Sequence, residues 1–275
     1  MQASIYSRQR PDESEIPKPE IRDPKEARNP NSQDSVPLQW PLAFANQGKL
    51  ALKWVQFQHP EMKPLSDCRL YAFVDTAYLR GRAPQRVAEL LCDGGADLIQ
   101  LRAKNSSIEE VRRLAEQVLP VTRAAGVGLV INDHFTIARE VGAEFCHLGQ
   151  EDFFDAGHSK VSELRVPGSG LRIGLSSHAQ EQARRAVAAG ADYVAIGPVY
   201  ATGTKPTARP VTLDYVRWAA ANVTIPWFAI GGINLQNLDE VLAGGARRIC
   251  VVSAILNEED IAASCRAFKE RLERS

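Results

Sequence analysis

From Arg69 onward, short apolar runs alternate with segments whose apolar residues recur at helical spacing. The runs cover residues 70–74, 98–101, 127–131, 145–148, 173–175, 193–196, 227–230 and 249–252. Most lie roughly 20–30 residues apart, the distance a strand and its crossover helix consume. Helical periodicity covers 86–91, 108–124, 179–189, 211–221, 234–242 and 261–272. Val111, Leu114, Ala115, Val118 and Val121 fall on one face of the second of these, and Asn234 is the expected N-cap of the fifth. The segments after the third and fourth runs are short. Before four of the runs stands a Gly-Ala-x step, at Gly95, Gly142, Gly190 and Gly245. Each reads as a helix-to-strand turn in which glycine takes a left-handed backbone. Eight such units predict an α/β chain closed into a (β/α)8 TIM barrel over residues 69–275. An open doubly wound sheet is the alternative, without a dinucleotide-binding glycine fingerprint to support it.

The N-terminal part breaks this rhythm. Residues 1–36 are rich in charge and contain Pro11, Pro17, Pro19, Pro24 and Pro30. They predict a disordered tail, because little apolar surface is available to offset ordering. Residues 37–68 hold Trp40, Leu42, Phe44, Leu50, Leu52, Trp54, Val55 and Phe57, and predict an extension packed on the barrel.

Composition narrows the function. The 275 residues carry 33 Lys+Arg and 33 Asp+Glu, so the net charge is zero. That balance argues against nucleic acid as the partner and leaves room for a local cationic site. The five cysteines are scattered, with no Cys-x-x-Cys pair, which argues against a zinc knuckle and fits a reducing cytoplasm. No stretch is apolar enough to cross a membrane.

In a barrel of this kind the chemistry sits where the strands end. After the second run, Gln100, Arg102 and Lys104 alternate with apolar neighbours and share a face, which suits a phosphorylated ligand. Asn132-Asp133 follows the third run and Gln150-Glu151-Asp152 the fourth. Asp133 and Asp152 suit Mg2+ as hard oxygen donors, and either alone would also serve as a helix cap. Ser176-Ser177-His178 follows the fifth run, with Ser177 read as a phosphate contact or an N-cap and His178 as a base or a structural residue. A long loop carrying Thr202, Gly203, Thr204 and Lys205 follows the sixth, and Lys205 suits a leaving phosphate. Gly231-Gly232 after the seventh run and Ser253 after the eighth suit a second phosphate.

Together with Leu70-Tyr71, Asp75, His147-Leu148-Gly149 and Val251-Val252-Ser253-Ala254-Ile255, these segments resemble the thiamine phosphate synthase (thiamine-phosphate pyrophosphorylase) family over about residues 69–275. Position 134 is His where that family usually has Arg. The resemblance implies a transferase of thiamine biosynthesis acting on small molecules. Hydroxymethylpyrimidine pyrophosphate and a thiazole phosphate would give thiamine phosphate and pyrophosphate by a Mg2+-assisted dissociative route. It implies that Gln100, Arg102, Lys104, Asn132, Ser176 and Lys205 hold the pyrimidine pyrophosphate. Asp133 and Asp152 would hold Mg2+, and Thr202, Thr204, Gly232, Val252 and Ser253 the thiazole phosphate. Arg102, Lys104 and Lys205 would stabilise the departing pyrophosphate. A thiazole tautomerase-like isomerase and a non-catalytic phosphate-ligand sensor are the alternatives, and a homo-oligomer is left open.

Overall fold

The computed structural model describes residues 60–203 and 209–275. Eight parallel strands close into a barrel in chain order. They are β1 (Leu70–Asp75), β2 (Leu98–Arg102), β3 (Gly128–Asn132), β4 (Phe145–Leu148), β5 (Arg172–Ser177), β6 (Tyr193–Ile196), β7 (Trp227–Ile230) and β8 (Ile249–Cys250). The helices are α1 (Pro84–Asp93), α2 (Ile108–Ala124), α3 (Phe135–Val141), α4 (Gln180–Ala188), α5 (Thr212–Asn222), α6 (Leu238–Ala243), α7 (Ser253–Leu256) and α8 (Ile261–Glu273). The predicted (β/α)8 architecture is the one observed. The expected tail and most of the expected extension lie outside the described residues. Among the described residues no helix is long and apolar enough to cross a membrane.

Local physics explains the elements. Ser107 accepts the Glu110 N–H at the start of α2, and Val111, Leu114, Ala115 and Val118 are buried along it. Each full burial of a Val or Leu side chain contributes about 1.5–3 kcal/mol. Two boundaries differ from the sequence reading. β8 is short because Val252 turns out of the ladder, at φ −114° and ψ −87°, to start α7. The helix expected from Asn234 begins at Leu238 instead. The Asn234 side-chain oxygen accepts the N–H groups of Gln236 and Asn237, so it closes a turn rather than capping a helix.

All four Gly-Ala-x glycines have positive φ, as expected: 84° at Gly95, 74° at Gly142, 82° at Gly190 and 97° at Gly245. In three of these turns the next-but-one residue is a carboxylate that reaches back to the preceding strand. Asp97 accepts the N–H groups of Arg69 and Leu70, Glu144 that of Leu129, and Asp192 that of Ile173. Strand starts that the helices leave unpaired are thereby satisfied. Each carboxylate also has a cation: Lys269 and Lys63 for Asp97, Arg123 for Glu144 and Arg165 for Asp192. Residues 60–68 add Met62 and Leu65 to the edge of the core, and Met62 sulfur accepts from Arg172.

Inside the barrel, Tyr193 meets Tyr71 and Phe228 edge-on, at centroid distances of 6.0 and 5.6 Å. Gly174 makes room for this cluster, since a Cβ there would lie 2.0 Å from the Tyr193 ring.

Candidate active site

At the C-terminal ends of the strands lies a cavity of about 370 Å3. Its walls gather residues from every strand end predicted to matter. Gln100, Arg102, Lys104, Asn132, Asp133, Asp152, Ser176, Thr202, Gly232, Val252 and Ser253 all line it. Thr204 and Lys205 lie outside the described residues.

The strand alternation sets the first group. Leu101 faces the buried shell, so Gln100 and Arg102 face inward, and Lys104 follows beyond the strand end. Arg102 is locked by Asp75, its partner in the β1–β2 register. Asp75 accepts from Arg102 Nη1 at 2.7 Å and from the Ala77 N–H at 3.0 Å. Lys104 pairs with Asp133. Asp133 sits at φ 62°, a left-handed conformation uncommon for a residue with a side chain.

The second carboxylate comes from a single turn of π-helix after β4, Glu151–Asp155. Asp152 accepts the Gly149 N–H at 3.2 Å, and Glu151 joins it on the wall. Burial pushes the Cys146 thiol far up, and the charges of Asp133 and Asp152 add to the rise. Among the described residues, two cations and three carboxylates line the cavity, with Asp75 behind as a fourth acid. Among these described residues the acids outnumber the cations, so a divalent cation would favour the approach of a phosphorylated ligand. Hard oxygen donors facing an open cavity fit Mg2+, which keeps several waters and shares its remaining positions with phosphates.

The opposite wall is made of backbone. Gly231 and Gly232 have φ of 104° and 66°. A Cβ on Gly232 would lie 2.6 Å from the Ala201 carbonyl oxygen. Only glycine lets the β6 and β7 loops pass this closely. Asn237 donates to the Gly232 carbonyl at 2.9 Å and fixes the turn. Ser253 opens α7 beside it.

Ser177 takes a role the sequence did not assign, and His178 takes the structural one of its two readings. Ser177 neither caps α4 nor lines the cavity: it is buried, and its hydroxyl pairs with Tyr215. His178 uses Nδ1 to donate to the Gly197 carbonyl at 2.5 Å, a structural bond that leaves its other edge to the cavity wall. His134 lies outside the cavity lining. A buried polar chain of Tyr71, Tyr193 and His147 was not foreseen. Its only sequence signal was tyrosine and histidine at strand positions otherwise apolar.

Comparison with known proteins agrees with this geometry. The family described as thiamine monophosphate synthase matches residues 70–255. A thiamine-phosphate synthase from Halalkalibacterium halodurans is 39% identical over 211 residues, covering 76% of this chain and 97% of the relative. One from Thermus thermophilus is 46% identical over 180 residues, 65% of this chain and 84% of the relative. Among solved structures, a thiamine phosphate pyrophosphorylase from Pyrococcus furiosus superimposes with TM-score 0.66 at 28% identity, covering 75% of this chain and 96% of that one.

Proposed function

The chain belongs to the thiamine monophosphate synthase family, and from that premise we propose how its barrel mouth performs the chemistry. The activity is that of a transferase of thiamine biosynthesis. It joins hydroxymethylpyrimidine pyrophosphate to a thiazole phosphate, giving thiamine phosphate and pyrophosphate.

The bond between the pyrimidinylmethyl carbon and the bridging pyrophosphate oxygen breaks, and its electron pair leaves with pyrophosphate. The cationic carbon is delocalised into the pyrimidine ring until the thiazole nitrogen supplies a lone pair. Charge thus grows on the leaving group, and catalysis consists of meeting it with preorganised positive groups. Arg102 is suited to this because Asp75 fixes its guanidinium before substrate arrives. Lys104 is the second cation, and Lys205, which lies between β6 and α5 in the sequence, is the third. Gln100, Asn132 and Ser176 supply polar contacts to the pyrimidine part. Thr202, Thr204, Gly232, Val252 and Ser253 are the contacts for the thiazole phosphate, through hydroxyls and backbone N–H groups. Asp133 and Asp152 would hold Mg2+, whose charge lowers the cost of the developing pyrophosphate anion. No nucleophilic side chain is needed.

The observation that carries this reading is the shared cavity: the Gln100–Arg102–Lys104 face and the Gly231–Gly232 turn open onto one space. The experiment is to mix both substrates with Mg2+ and the protein. Thiamine phosphate and pyrophosphate should appear in equal amounts. Isomerised thiazole alone would indicate a tautomerase, and binding without turnover a sensor; either result overturns the proposal.

A further inference from the structure

A line of hydrogen bonds crosses the barrel beneath the cavity. Gln100 Nε2 donates to the Tyr71 hydroxyl at 2.5 Å. The Tyr71 and Tyr193 hydroxyls are 3.1 Å apart. The Tyr193 hydroxyl is 3.1 Å from Nδ1 of His147, and Nε2 of His147 is 2.9 Å from the Ser176 hydroxyl. Five strands contribute one residue each. Gln100, Tyr71, His147 and Ser176 line the cavity, whereas Tyr193 is fully buried and does not.

Donor and acceptor rules give this line a direction. A side-chain amide nitrogen only donates, so the Tyr71 oxygen accepts from Gln100. The line runs one way when the Tyr71 hydrogen passes to the Tyr193 oxygen, 3.1 Å away. Tyr193 has then accepted once, and its buried hydrogen needs an acceptor. With Tyr71 as the donor, Nδ1 of His147 is the remaining acceptor within reach among the described residues. Burial pushes both phenols well above their ordinary range, so both keep their hydrogens as donors. A neutral imidazole that accepts at Nδ1 carries its hydrogen on Nε2. That N–H points at the Ser176 oxygen, and the Ser176 hydrogen is turned toward the cavity.

We propose that Tyr193 is a positioning residue: by donating to Nδ1 it holds His147 in the Nε2–H form and thereby makes Ser176 a one-way hydrogen-bond donor to an acceptor atom of the bound substrate. Reversed, the same serine would donate to His147 and present only lone pairs to the substrate. The kinetic part of this inference rests on the proposed function, and the tautomer does not.

Long-range 1H–15N NMR of the ligand-free protein reads the histidine tautomer directly. His147 is expected as Nε2–H in the unaltered protein and as a mixture of both tautomers in Tyr193→Phe, which keeps the ring packed on Gly174. With both substrates and Mg2+, Tyr193→Phe should lower kcat/KM about tenfold, the weight of one aligned hydrogen bond. In a Ser176→Ala background the same change should cause no further loss, because a residue acting through Ser176 has nothing left to act on. An Nδ1–H tautomer in the unaltered protein overturns the proposal. So does an unchanged tautomer in Tyr193→Phe, or a tenfold loss that persists without the serine. If Tyr193→Phe does not fold, the tautomer of the unaltered protein still decides: Nε2–H supports the direction and Nδ1–H refutes it.

Discussion

Arg102 Nη1 lies 2.7 Å from an oxygen of Asp75, whose side chain is 1% exposed, and the other oxygen of that carboxylate holds the Ala77 N–H. The last residue of one strand therefore aims the last residue of its neighbour. A guanidinium presents donors on more than one edge, so a partner on one edge orients the remainder toward the cavity. Preorganisation of this kind removes the cost of ordering the charge during reaction.

Replacing Asp75 by Asn keeps an acceptor but removes the charge that fixes Arg102. A hydrogen bond to a charged group is worth about 1.5–3 kcal/mol, so kcat/KM for the pyrimidine pyrophosphate should fall about 10–100-fold. The KM for the thiazole phosphate should barely move. Steady-state kinetics with each substrate varied in turn checks this, and unchanged pyrimidine kinetics would show that Arg102 holds its place without Asp75.

Gly232→Ala tests the backbone wall. The new Cβ meets the Ala201 carbonyl oxygen at 2.6 Å and the Tyr200 side chain at 2.7 Å, in a residue whose φ is 66°. The loop has to shift, and a left-handed alanine adds about 1–2 kcal/mol of strain. The KM for the thiazole phosphate should rise about tenfold or more, with a smaller effect on the pyrimidine substrate. Equal effects on both would argue against separate subsites.

Asp97 tests the opposite end of the barrel. Burial alone would raise its carboxyl pKa, but the Leu70 N–H, Lys269, the Arg69 N–H and Lys63 together hold it below the usual value of 3.8. A carboxylate with a lowered folded pKa adds stability above its unfolded value, and that stability is lost as pH falls through the folded one. Asp97→Asn should therefore cost about 3 kcal/mol at neutral pH, since it leaves the buried Lys269 with only the more distant Glu273 as an anion. The difference from the unaltered protein should shrink below about pH 4. Thermal melts from acid to neutral pH measure it, while kcat should stay unchanged. A gap that is constant across that range would contradict the assignment.

Much of this was legible in the chain because barrel units repeat a simple rule. Apolar runs marked all eight strands, and the Gly-Ala-x steps marked four left-handed turns that the backbone bears out. Period-two alternation put Gln100 and Arg102 on the inner face, where they are found. What stayed hidden depends on pairing between distant residues. Asp75 and Arg102 are 27 positions apart, and Tyr71 and Tyr193 are 122 apart. Local pattern says nothing about such partners. Asn234 misled for a related reason: the same side-chain oxygen that caps helices also closes turns, and only the path of residues 234–238 decides which.

The central claim is that the proposed reaction needs a divalent ion held at Asp133 and Asp152, which line the cavity together with Arg102 and Lys104. Pyrophosphate release from both substrates, followed while Mg2+ is titrated into chelator-treated protein, tests it most directly. Release should be absent in chelator and restored by Mg2+, and Asp133→Asn or Asp152→Asn should require much higher Mg2+ for half-maximal rate. Full turnover in chelator, or unshifted titrations in both variants, would contradict it.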